Sequence, residues 1–225
     1  MYRKYIKRPM DFTLSLIALI VLSPILLILT VIGAIMMKGN PFFVQMRPGK
    51  DEKIFKLIKF RTMTCEKNKN GELLTDEKRL TRYGKFLRST SLDELPELIN
   101  ILKGDMSIVG PRPQLIIDMV FMTESQRARH NVRPGLSGLA QISGRNNITW
   151  EKKFKYDLEY INNITFFGDI RIILLTFIQV FKRYGITEDG FATAADLGDY
   201  LLHKGEVDEQ TYSEKQNEAK YLMKV

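Results

Sequence analysis

The first strong pattern along the chain is an unbroken apolar run. From Phe12 to Met37 no residue carries a formal charge, and most are Leu, Ile, Val, Ala or Phe. A bilayer-spanning helix needs about 20 such residues, so the run is long enough. The basic cluster Arg3, Lys4, Lys7 and Arg8 precedes it and marks the N-terminus as cytoplasmic. A secretory signal is a poorer description: its apolar region runs to about 7–15 residues and ends in a small-residue cleavage site, of which Gly33-Ala34 is a weak version. Ser23-Pro24 falls near the middle of the run. Proline lacks a backbone donor and clashes with the preceding turn, so a kink is expected there. Two arrangements follow, a kinked helix that crosses the bilayer, or a re-entrant helix that leaves on the side it entered. In the second, Ser23 can satisfy backbone groups that Pro24 frees.

Beyond Asn40-Pro41 the periodicity changes. Two strand-like runs, residues 42–47 and 54–60, flank Pro48-Gly49, which predicts a β-hairpin. Residues 65–80 are polar and predict a loop. Leu92, Leu95, Leu98, Ile99 and Leu102 recur at helical spacing, and Lys103-Gly104-Asp105 stops that helix. Gly110-Pro111-Arg112-Pro113 is a rigid turn. Residues 115–130 predict one helix, 135–145 a glycine-rich loop, and 149–162 another helix. Residues 170–183 are apolar but too short to span a bilayer. Flanked by Arg171, Lys182 and Arg183, they suit either a helix in the headgroup layer or a buried core helix. Residues from 191 onward are polar and charged. The class is α+β, mainly helical. It divides into a membrane segment (1–40), a main domain (41–190) that holds the candidate chemistry, and a polar C-terminal tail (191–225).

Composition adds a charge argument. Among 225 residues, 34 Lys and Arg face 26 acidic residues, a formal net charge of +8, which points to an anionic partner. The single cysteine, Cys65, excludes an internal disulfide, and two histidines do not make a His-rich metal site. A divalent metal would be held by oxygen, which favours magnesium. The basic residues lie at turns and not along one stripe, which argues against nucleic acid.

The candidate chemistry centres on Asp93-Glu94. Pro96 is tolerated only in a first helical turn, so the helix starts close to Asp93, with Ser91 as a competing cap. The dipole at a helix N-terminus would lower a carboxylate pKa and attract phosphate. An ionised carboxylate there can act as a nucleophile or hold magnesium. Acidic first turns are also common as plain stabilising features. What distinguishes this pair is its company: Arg61, Arg88, Arg112 and Arg145 all sit beside turns or helix ends, where arginine can clamp phosphate with two hydrogen bonds.

Four longer motifs carry a resemblance. Lys59-Phe60-Arg61-Thr62-Met63, Ser91-Leu92-Asp93-Glu94-Leu95-Pro96, Gly104 through Pro113, and Arg133-Pro134-Gly135-Leu136-Ser137-Gly138 occur in order. Together they resemble the bacterial sugar transferases, or monotopic phosphoglycosyl transferases, in their small, PglC-like form, over residues 1–190. The resemblance implies transfer of a sugar-1-phosphate from a UDP-sugar to undecaprenyl phosphate, with release of UMP. It implies Asp93 as the nucleophile that forms an aspartyl-phosphosugar, and Glu94 as the Mg²⁺ ligand. Lys59, Arg88, Pro111, Arg112, Arg145 and Asp157 would form the phosphate-binding surround. It further implies the re-entrant helix broken at Ser23-Pro24, contact with anionic lipids, and a place on the cytoplasmic face of the bacterial inner membrane. An N-acetylated sugar is the family-level expectation, with a hexose as the alternative.

Overall fold

Residues Lys7–Met36 form one helix, α1, entered through a short π-helical turn at Tyr2–Ile6. The computed structural model describes residues 1–144, 148–182 and 196–223. Pro24 lies inside α1 and cannot donate to the Ile20 carbonyl. The Ser23 hydroxyl donates to that carbonyl instead, at 2.7 Å. The apolar run is therefore hydrogen-bonded as a helix on both sides of the proline. By length and composition α1 is apolar enough to enter a membrane.

One face of α1 is covered along its length. Asp11, 2% exposed, accepts Ser107 Oγ at 2.6 Å and Ile108 N at 3.1 Å. Farther along, Ala18, Leu19 and Leu22 pack against Phe55, Leu57, Leu98, Ile101 and Met106. Near the C-terminal end, Leu29 joins Phe60, Tyr83 and Leu87, and Tyr83 Oη donates to the Leu29 carbonyl at 2.8 Å. The opposite face is bare: Val21 is 68% exposed and Ile35 69%.

The predicted hairpin is present. Strands β1 (Phe42–Pro48) and β2 (Ile54–Phe60) pair antiparallel, with Phe42 opposite Phe60 and Pro48 opposite Ile54. Residues 65–80 hold the isolated bridge Lys67–Leu73, a second bridge from Leu80 back to Met63, and a single turn, α2 (Asp76–Arg79). Helix α3 (Arg82–Thr90) starts at Thr81, whose hydroxyl accepts from Gly84 N. Helix α4 (Glu97–Lys103) ends on Gly104 at φ 96°.

Two expectations need correction here. Of the expected loop at 135–145, residues 135–144 are not a plain loop: β4 (Gly135–Ser137) pairs parallel with β3 (Ser107–Val109), and α7 (Leu139–Gly144) follows. Glycine permits this pairing, since a Cβ at Gly135 would lie 2.1 Å from Gly110 N. Residues 115–130 are not one helix. They break into α5 (Ile116–Met119), α6 (Glu124–Arg127) and a 3₁₀ turn. The break falls where Thr123 and Gln126 form a capping box that starts a new helix. Helices α8 (Trp150–Asn162) and α9 (Phe166–Lys182) come next. In α9, Ile172 is buried while Phe167 is 82% exposed, so that helix is neither wholly buried nor wholly free.

The tail also has structure. Helices α10 (Leu197–Lys204) and α11 (Glu209–Leu222) pack on α5 and α8. Leu197 and Ala219 join Ile116, Phe121, Trp150 and Phe154 in one apolar cluster.

Candidate active site

Four elements meet at the acidic pair. Lys59 has the same strand parity as the buried Phe55 and Leu57, so β2 turns its ammonium inward, where only carboxylates make burial tolerable. Ser91 ends α3 in the left-handed conformation, φ 57°, and reverses the chain into a 3₁₀ turn, Leu92–Glu94. Asp93 and Glu94 thus precede α4 and do not begin it, and Ser91 makes no side-chain cap. Arg112 is delivered by the turn between the buried prolines Pro111 and Pro113.

Glu94 is committed to cations. Its Oε1 lies 2.8 Å from Lys59 Nζ and 2.6 Å from Arg112 Nη2. Burial alone would raise the Glu94 carboxyl, but Arg112 and Lys59 outweigh it and hold the group well below the usual range. Asp93 accepts no hydrogen bond from any described residue. Burial, with the Glu94 charge beside it, pushes its carboxyl up to about 6, against the pull of Lys59, Arg112 and Arg88. The expectation that both carboxylates would be lowered by a helix terminus therefore fails for Asp93. The pair sits on a 3₁₀ turn, and desolvation and like charge dominate there.

A third carboxylate completes the cluster. Glu97 is 2% exposed, and its Oε1 lies 3.0 Å from Lys59 Nζ. Burial raises it to about 7, opposed by Lys59. Asn100, fully buried one turn later, ties α4 to β2 by donating to Lys56 O at 2.7 Å and accepting from Ile58 N at 3.1 Å. Both could have been suspected from the sequence, because polar Glu97 and Asn100 share a helical face with apolar Ile101.

The other predicted residues take different places. Arg88 donates through Nε to Thr62 Oγ1 at 3.1 Å and contributes its charge to Asp93. Asp157 does not point at the acidic pair; it receives Arg129 Nε at 2.9 Å and Nη2 at 2.6 Å. Arg129 Nη2 also donates to the Arg112 carbonyl at 2.7 Å, so Asp157 reaches the site through Arg129. Arg129 was not among the sequence candidates. Arg145 lies outside the described residues.

No group of three or more His, Cys, Asp or Glu side chains among the described residues is arranged to hold a metal. That suits magnesium no worse than absence of a cage suits it elsewhere, since Mg²⁺ takes one or two carboxylates and completes its shell with water and substrate phosphate. Both cations on Glu94 contact Oε1, so the donor chemistry of Glu94 fits such an ion.

The sequence model described as Bacterial sugar transferase matches residues 2–183. Among curated relatives, "Uncharacterized sugar transferase EpsL" of Bacillus subtilis is 46% identical over 189 residues, covering 84% of this chain and 94% of the relative. "UDP-glucose:undecaprenyl-phosphate glucose-1-phosphate transferase" of Klebsiella pneumoniae is 42% identical, over 79% of this chain and 40% of the relative. "Undecaprenyl-phosphate galactose phosphotransferase" of Salmonella typhimurium is 34% identical, over 81% of this chain and 42% of the relative. The chain thus spans nearly the whole of the first and about two fifths of the other two. With its site motifs inside the matched region, the chain belongs to the bacterial sugar transferase family.

Proposed function

We propose that this protein moves a sugar-1-phosphate from a UDP-sugar to undecaprenyl phosphate through an aspartyl-phosphosugar on Asp93. The observation that carries this reading is the division of labour in the acidic pair. Glu94 is neutralised by two cations, while Asp93, with no hydrogen-bond partner among the described residues, is free to attack. In the first step an Asp93 oxygen bonds to the β-phosphorus. The bond from that phosphorus to the bridging oxygen breaks, and UMP leaves with the electron pair. In the second step a phosphate oxygen of the acceptor attacks the same phosphorus, which frees Asp93 and gives the lipid diphosphate sugar. Arg112, Lys59 and Arg88 supply the positive charge that the passing phosphoryl group needs. Glu94 would hold Mg²⁺, which offsets charge on the diphosphate when bound.

The arrangement of α1 supports a membrane site on one face. The same domain touches α1 near Asp11 and again near Leu29 and Gly33. A polar domain cannot lie along both ends of a helix that crosses the bilayer upright, so a re-entrant or in-plane helix fits better. The bare faces of α1 and α9 would enter the lipid, with Arg3 and Lys4 among anionic headgroups on the cytoplasmic side of the bacterial inner membrane.

The test uses UDP-sugars carrying labelled β-phosphate, in nanodiscs with Mg²⁺. Label should attach to the protein before acceptor is added and move to lipid afterwards. UDP-glucose and UDP-galactose head the panel, since two relatives are named for those sugars; N-acetylated donors follow. Normal turnover by Asp93→Asn would sink the mechanism. Release of free sugar phosphate without acceptor would instead mark a phosphohydrolase.

A further inference from the structure

The family match ends at residue 183, yet residues 196–223 pack closely on the catalytic domain. Their contacts converge on one place. The buried carboxylate of Asp118 accepts Leu115 N through Oδ2 at 3.0 Å and Leu197 N through Oδ1 at 2.9 Å. One side chain therefore joins the start of α10 to Leu115, which precedes α5 and lies two residues beyond the Pro111–Arg112–Pro113 turn. Gly198 lies flat against Phe121, where an added Cβ would come within 2.6 Å of the ring. Phe121 also meets the Tyr212 ring of α11 at 5.6 Å between centroids. On the far side, Tyr200 Oη and Lys204 Nζ each reach Glu151 Oε1 at 2.7 Å, which ties α10 to the first turn of α8. The turn itself is gripped from below, where Arg47 Nη1 donates to the Pro113 carbonyl at 3.0 Å.

We propose that α10 and α11 form a brace that fixes the Pro111–Pro113 turn, and with it the Arg112 guanidinium, in the position that receives the donor diphosphate. This takes as given that Arg112 meets the diphosphate, as the transferase reading holds. The physical reason for a brace is plain. A clamp on phosphate works only where its donors are fixed in advance, and a displacement of about 1 Å can cost on the order of a hundredfold. Pro111 and Pro113 stiffen the turn internally, but α5 behind it has a single helical turn and no length of its own to hold position. Leu197, Gly198 and Tyr212 provide the missing backing.

The experiment measures UDP binding by calorimetry with the full-length protein in nanodiscs. UDP carries the diphosphate shared by every candidate donor. Gly198→Ala should push Phe121 and weaken UDP binding about tenfold. Phe121→Leu in the same chain makes room for the new methyl group and should restore most of the affinity. Tyr200→Phe, which removes the hydroxyl that reaches Glu151 and keeps the ring, is a milder companion that should weaken binding about twofold should Gly198→Ala fail to fold. Thermal unfolding is recorded for each variant. A merely structural tail would lower the melting temperature yet leave the affinity of the folded protein unchanged, and that result overturns the brace. A wild-type protein that does not bind UDP would overturn the transferase reading and the brace with it. Normal UDP binding by wild type and by both folded single variants overturns the brace alone.

Discussion

The Arg129–Asp157 pair separates folding from function in a way that can be measured. Both side chains are almost completely buried, at 2% and 4% exposure, and two hydrogen bonds join them. Asp157→Asn keeps the shape but leaves a buried guanidinium without its counter-charge. Breaking a buried pair from one side costs about 3–5 kcal/mol. For a chain of this size each kcal/mol moves the melting temperature by roughly 2–4 °C, so a drop of about 6–20 °C is expected. Solvent screening does not reduce the figure, because neither partner reaches water. Trp150, the only tryptophan, lies on the same helix as Asp157 and reports the transition by fluorescence.

The double replacement Arg129→Met with Asp157→Leu should behave differently. Removing both charges is often neutral or stabilising by about 1–4 kcal/mol. Against that, the Arg112 carbonyl loses its 2.7 Å donor, which costs about 1–3 kcal/mol for a buried acceptor. The two terms nearly cancel, so the double variant should melt close to wild type. Its donor KM should nevertheless rise, since the Arg112 carbonyl then loses its side-chain anchor. A small loss of stability in Asp157→Asn, below about 1 kcal/mol, would refute the burial argument. Wild-type KM in the double variant would refute the link from Asp157 to the site.

Two further outcomes are expected. On the proposed mechanism, formation of the labelled protein needs ionised Asp93, whose carboxyl is pushed up to about 6, so its single-turnover rate should fall about tenfold per pH unit below that value and level off above about 7. Glu94→Gln removes the neighbouring negative charge and should move the limb to lower pH even as the rate falls; a limb that stays in place or rises contradicts the assignment. A membrane-impermeant maleimide applied outside intact spheroplasts should label neither Cys65, which is exposed, nor a cysteine introduced by Tyr2→Cys; labelling of only one of them restores a spanning helix.

The parts that could be read in sequence are those governed by local rules. The apolar run at 12–37 and the hairpin at Pro48-Gly49 depend on composition and on neighbours within a few residues. The Thr123-Glu124-Ser125-Gln126 capping box was equally local, and reading it would have split the helix expected over 115–130. Strand β4 was hidden because Gly135 and Ser137 have little strand propensity; a parallel partner at Ser107–Val109 and a close backbone approach to Gly110 decide its state. The site divides in the same manner. Asp93, Glu94 and Arg112 stand in recognisable motifs. Glu97 and Arg129 matter because β2 brings Lys59, and α8 brings Asp157, from far away in the chain. The tail read as merely polar because its fully buried apolar residues, Leu197 and Ala219, are few and the rest of its apolar contacts are spread among charged positions.

The covered face of α1 bears on where chemistry can happen. Leu98 and Ile101 of α4 pack on Ala18, Leu19 and Leu22, and the Asp93–Glu94 turn enters α4 directly. The register of α1 against α4 therefore sets the height of the Asp93–Glu94 turn relative to the bare apolar face of α1. Apolar packing alone defines that register poorly, because Leu and Ile side chains can exchange grooves at small cost. Polar locks define it well. Asp11 holds Ser107 and Ile108, and Arg8 donates to the Ile101 and Leu102 carbonyls at 2.6 and 2.8 Å. A slip of one helical turn would move the acidic pair by about 5 Å along α1. Reacting atoms must come within about 3–3.5 Å, so on the proposed mechanism an Asp93 displaced that far would miss an acceptor phosphate held at the headgroup layer. On the proposed reading, the buried charges at the entrance of α1 do more than anchor a helix. They measure out the depth at which a soluble donor and a lipid acceptor can meet the same carboxylate.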